Sequence, residues 1–113
     1  MKRFCLALDL KDDEALIRQY EEHHKAVWPG VIDSLKDAGI TEMEIYRIGT
    51  RLFMIMETTD DFSFEKKDQA DKANEKVAAW EALMSTYQQT LPGSKPGEKW
   101  ALMKNIFQWK EML

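Results

Sequence analysis

Phe4, Leu6, Leu8 and Leu10 alternate with Arg3, Cys5, Ala7 and Asp9, and directly afterwards the apolar spacing changes. A period of two gives a β-strand one strongly apolar face. Further on, Leu16, Ile17, Tyr20, Val27, Val31 and Leu35 gather on one side of a helix at about 100° per residue. Asp12 or Asp13 offers the N-cap between the two. Pro29 has no N–H to donate to the Lys25 carbonyl and its ring crowds that group, which predicts a kink or a new helical start near Trp28. Gly39 closes the segment as a helix C-terminus.

The switch of period then recurs. Met43–Ile48 and Leu52–Glu57 read as two strands joined across Gly49-Thr50. The run LFMIM in the second is apolar at every position and is expected to be buried on both faces. Asp60 and Asp61 end it and stand ready to cap another helix. Ala73, Val77, Trp80, Met84, Tyr87 and Leu91 follow at steps of 4, 3, 4, 3 and 4, a helical stripe. Pro92 to Gly97 is a loop, and Trp100–Trp109 reads as a last strand. The order β-α-β-β-α-β within one domain, residues 1–113, predicts an α+β fold of the ferredoxin-like kind: a four-stranded antiparallel sheet with the helices on one face. So small a sheet leaves one face uncovered, and apolar residues there call for a second copy of the chain, a homodimer.

Composition removes whole classes of function. The chain is 44% hydrophobic and 32% charged, enough for one modest core. Its net charge of −4 and pI near 5.2 lack the basic field that nucleic acid or an anionic membrane attracts. No apolar run reaches the roughly 20 residues of a membrane span, and no signal-peptide pattern opens the chain. The single Cys5 excludes an internal disulfide and suits a reducing, cytoplasmic compartment. One cysteine and two adjacent histidines do not make a zinc site, so no metal is expected.

The chemistry-bearing stretch is Tyr20-Glu21-Glu22-His23-His24-Lys25-Ala26-Val27-Trp28-Pro29. Tyr20, His24 and Trp28 recur every four residues and so lie above one another on a helix. His24 falls near the middle of the apolar stripe, where periodicity asks for a hydrophobe; His23 falls at its edge and reads as solvated. An inward histidine is often a satisfied core residue. It is also the side chain best suited to give or take a proton near neutral pH, its ordinary pKa being about 6.5. Tyr20 would then be its polar partner and Trp28 an apolar wall. Trp80 is either the core anchor of its stripe or a flat surface for the apolar face of a sugar ring. Glu21, Glu22, Glu57 and Glu81 are the carboxylates that could act with His24, each also explicable as a solvated charge.

Tyr20-x-x-x-His24-x-x-x-Trp28-Pro29 after an N-terminal strand resembles the L-rhamnose mutarotase family. Gly39, Glu44-Ile45-Tyr46 and Asn105-Ile106-Phe107-Gln108 fit the same layout, in order, over essentially the whole chain. The resemblance implies a dimeric ferredoxin-like protein of the α+β-barrel type. The activity it implies is that of an isomerase without metal or cofactor, interconverting α and β anomers of a 6-deoxy-hexose. Residue by residue, it implies that His24 is the proton donor and Tyr20 a sugar-contacting hydroxyl, with Tyr46 and Trp80 also in the pocket. Glu81 stands where the family has a second tryptophan and Met43 where it has a further tyrosine, which leaves L-rhamnose favoured and L-fucose open. A dimeric α+β-barrel monooxygenase or haem-binding enzyme, and a sugar-binding module without catalysis, are the competing readings.

Overall fold

The computed structural model describes residues 1–110. It contains β1 (Lys2–Leu10), α1 (Glu14–His24), α2 (Pro29–Asp37), β2 (Ile40–Ile48), β3 (Arg51–Thr58), α3 (Phe64–Ala73), α4 (Glu75–Ser85), β4 (Gln88–Gln89) and β5 (Ala101–Leu102). The sheet runs β2-β3-β1-β4, antiparallel throughout, with β5 sharing the outer edge of β1 with β4. This is the ferredoxin-like α+β arrangement that the order of elements predicts.

Local chemistry explains the boundaries. Asp13 caps α1, its carboxylate accepting from the backbone N–H of Ala15 (2.9 Å) and Leu16 (3.1 Å). The expected break before Pro29 is present: α1 stops at His24, and α2 begins with Pro29 in its first turn, where a missing N–H costs nothing. Gly39, at φ +92°, turns the chain out of α2 into β2. The β2–β3 hairpin closes through Gly49-Thr50, with positive φ at Gly49 only (+57°), the type II′ pattern.

The second helical region departs from expectation in three ways, the first being that α4 ends at Ser85, short of the stripe members Tyr87 and Leu91, and Gln88–Gln89 pairs with β1 as a strand instead. Ser63, rather than Asp60 or Asp61, caps α3 by accepting from Lys66 N–H at 3.3 Å. The region is also two helices. Asn74 stays extended and accepts from the N–H groups of Lys76 (3.0 Å) and Val77 (3.3 Å), so it starts α4 afresh. The last strand is shorter than expected: of Trp100–Trp109 only Ala101–Leu102 joins the ladder, opposite Ala7 and Leu6.

Leu6, Leu8 and Leu10 of β1 and Leu52, Met54 and Met56 of β3 point under the helices and are buried. Tyr20, Val31, Val77, Trp80, Met84 and Tyr87 cover them. The other face carries Cys5, Ala7, Phe53 and Ile55, half-buried, with Tyr46 and Ile48 exposed. Thus LFMIM is sealed on one face only within a single chain. Ion pairs Arg3–Glu57 and Arg51–Asp9 flank that second face.

Candidate active site

Helix α1 delivers Tyr20, His23 and His24 to one place because residues three and four apart share a helical face. Trp28 follows at the α1–α2 break, and α4 with its C-terminal turn supplies Trp80 and Tyr87. The rings meet in sequence: Tyr20 and His24 centroids are 4.5 Å apart, His24 and Trp80 5.6 Å, and Trp28 and Trp80 5.2 Å. Tyr20 and Trp80 are almost fully enclosed, His24 is half-buried, and Trp28 is the exposed member at 36%.

The His24 Nδ1 lies 2.9 Å from the Tyr20 carbonyl oxygen. A carbonyl can only accept, so Nδ1 carries the hydrogen and Nε2 is the nitrogen left for other chemistry. The Tyr20 hydroxyl receives a hydrogen bond from Gln88 Nε2 at 3.4 Å, and Gln88 Oε1 is buried without a partner among the described residues. Burial pushes the Tyr20 phenol above its ordinary range, the nearby Glu81 charge adding to it and the Gln88 bond opposing it. Tyr20 therefore stays a neutral hydroxyl. Its apolar shell and fixed imidazole give this corner what acid–base chemistry on a polyol needs: one titratable nitrogen, one hydroxyl and aromatic walls.

Of the residues singled out in the sequence, Tyr20, His24, Trp28 and Trp80 come together here. Glu81 sits exposed on α4 at the rim, with Lys99 Nζ 3.8 Å from its carboxylate. Met43 does not reach the site; it packs with Leu6, Ile40, Met54, Met56 and Phe62 in a second cluster. Tyr46 is on the other sheet face, paired with Phe53, and its hydroxyl donates to Glu44. Two open depressions lie elsewhere, one beside Arg18, Glu22 and His23, the other between α2 and α3, and neither is lined by Tyr20, His24 or Trp80. Among the described residues no group of His, Cys, Asp and Glu could hold a metal ion, and no helix is long and apolar enough to cross a membrane.

His23 is the residue that periodicity misplaces. It is half-buried instead of solvated, and its Nε2 lies 3.1 Å from the Tyr87 hydroxyl. Tyr87 and Gln88 were visible only as a stripe member and a polar residue after it. The signal for His23 was its i+3 position from Tyr20, which keeps it on the same side of the helix.

A protein of Xanthomonas campestris pv. campestris named L-fucose mutarotase is 49% identical, the match covering 98% of this chain and 90% of that one. The crystal structure of L-rhamnose mutarotase FA22100 from Formosa agariphila superposes with a TM-score of 0.70 at 22% identity, covering 96% of this chain and 98% of that one. A dimeric ferredoxin-like protein from an uncultured marine organism superposes at 0.55 with 16% identity, over 94% and 90% of the two chains. At such identities the structures attest the fold alone. The sequence model of L-rhamnose mutarotase matches residues 3–109, a span that includes every element described above except Lys2 at the start of β1. With that match and the Xanthomonas relative behind it, the chain belongs to the L-rhamnose mutarotase family and is a sugar mutarotase, a carbohydrate isomerase.

Proposed function

We propose that the protein interconverts the α and β anomers of a 6-deoxy-L-hexose, with His24 transferring the proton at the ring oxygen. The observation that supports this is the His24 Nδ1 bond to the Tyr20 carbonyl, which leaves Nε2 as the working atom beside aromatic walls. Opening a pyranose requires a proton delivered to the ring oxygen while the anomeric hydroxyl gives one to solvent water, which restores a proton to the aldehyde oxygen on closing. The C1–O5 bond breaks, the aldehyde rotates, and reclosure on the other face returns the protons. The imidazolium form of His24 gives its Nε2 proton on opening, and the neutral form takes it back on closing. The Nδ1–H bond is the same in both states, so no ring flip intervenes. Trp28, the exposed ring, forms the rim against which the apolar face and the methyl group of the sugar pack. Glu81, exposed at the rim, supplies polar contacts to its hydroxyls, whereas the Tyr20 hydroxyl is enclosed and held by Gln88.

L-Fucose is the sugar we place first, ahead of the L-rhamnose that the sequence motif favours, because the relative at 49% identity carries the fucose name. We further propose a homodimer through the second sheet face, whose apolar centre (Ala7, Phe53, Ile55) lies between charge pairs. Met43 and Tyr46 are not part of this single-chain site.

The test is exchange between anomeric proton signals in saturation-transfer NMR, with L-fucose and L-rhamnose as substrates. His24→Ala is expected to lower the rate by ~10²–10⁴-fold, the usual worth of a positioned acid–base group, with an unchanged far-UV spectrum. Undiminished exchange in that variant would overturn the role of His24. Faster exchange of L-rhamnose than of L-fucose would overturn the order of sugars.

A further inference from the structure

The side chains around His24 form a closed circuit. Tyr20 contacts His24 at 4.5 Å, His24 contacts Trp80 at 5.6 Å, and Trp80 contacts His23 at 6.4 Å. His23 contacts Tyr87 at 5.6 Å, and Tyr87 returns to Tyr20 at 6.1 Å. Ring contacts of this kind tolerate sliding, because their energy changes slowly with offset. The Tyr20–His24 link is held within α1 by His24 Nδ1 on the Tyr20 carbonyl, and the link that bonds side chain to side chain between α1 and the turn after α4 is His23 Nε2 to the Tyr87 hydroxyl at 3.1 Å. The phenol is the better donor of the two, so Tyr87 O–H donates and His23 carries its hydrogen on Nδ1.

We propose that this His23–Tyr87 hydrogen bond locks the circuit and so holds the His24 imidazole in register for proton transfer, making His23 and Tyr87 positioning residues of the mutarotase. The inference rests on the acid–base role of His24 proposed above. Tyr87 is buried on α4's C-terminal turn and His23 sits on α1, so the bond ties together the two helices that carry the site. Its direction fixes the plane of His23, which stands edge-on to Trp80 at 83° and limits how far the indole can move toward or away from His24. A directional bond of this sort acts on geometry, and small displacements of a proton-transfer group are expensive in rate.

Tyr87→Phe keeps every ring and deletes one hydroxyl. The expected result is a fall of about ten- to a hundredfold in kcat with KM changed by less than about twofold. Imidazole ¹⁵N spectra should show His23 losing its single Nδ1–H tautomer. His23→Phe should give the same loss, and the double variant no further loss, since both remove one bond. Wild-type kcat in Tyr87→Phe, or losses that multiply in the double variant, would overturn the proposal. If His24→Ala leaves exchange untouched, the acid–base reading itself fails. If His24→Ala abolishes exchange while Tyr87→Phe turns over normally, only the lock fails.

Discussion

Trp80→Ala distinguishes two uses of an indole, core anchor or sugar platform, by their thermodynamics. Trp80 is 5% exposed and is touched by Trp28, His24 and His23. A buried aromatic side chain withdraws about 150–250 Å² from water, which at about 25 cal/mol per Å² corresponds to ~4–6 kcal/mol. Truncations of core Phe and Trp cost about 3–5 kcal/mol. The two ranges overlap at about 4–5 kcal/mol, the expected loss. A domain of 113 residues typically holds roughly 6–17 kcal/mol, so the variant still folds, with a urea midpoint lower by roughly 2 M at ordinary m-values. Far-UV circular dichroism is the right probe, because the substitution removes a fluorophore. Protomer concentration has to be held fixed, since association stabilises the folded state by mass action. A loss below about 1.5 kcal/mol would refute the burial argument and place the indole in a solvated pocket instead.

Gly39→Ala should also destabilise. At φ +92° a side chain costs about 1–2 kcal/mol, and the new Cβ would lie 2.6 Å from the Thr59 hydroxyl, which is engaged with Asp61. Relieving that overlap adds about 1–3 kcal/mol; a change under about 1 kcal/mol in a thermal melt would contradict this. The buried Tyr20 phenol has its pKa raised above the usual ~10. Its contribution is therefore fully present below about pH 10 and is lost as pH rises through the higher folded-state value. Between pH 9 and pH 11 the wild-type protein should lose more stability than Tyr20→Phe, and equal losses in urea titrations would sink that assignment.

Much of the site was legible because it depends on short-range geometry. Tyr20 and His24 at an interval of four must share a helical face, and Pro29 must interrupt the helix; Trp28, expected on that same face, instead joins them from the α1–α2 break, because α1 stops at His24. What escaped depends on tertiary partners. The Ala73–Leu91 stripe keeps helical steps across Asn74, so nothing in its apolar spacing reveals that the Asn74 side chain caps a second helix. Apolar residues between Trp100 and Trp109 imitate a strand, yet Ile106, Phe107 and Trp109 are exposed at 89%, 63% and 63%. Their character reflects something other than pairing within the chain. His23 looked solvated because its partner, the Tyr87 hydroxyl, lies sixty-four positions away. Met43 and Tyr46 both lie on β2 and face opposite sides of the sheet, a matter of strand register that similarity of motif does not encode.

The group that orients the His24 imidazole is a peptide oxygen, and every amino acid at position 20 brings one. Mutational drift can therefore exchange the rings around the imidazole without touching the anchor that decides which nitrogen is free. Specificity and the choice of working nitrogen are separately heritable in such a design: the first resides in side chains, the second in the main chain itself.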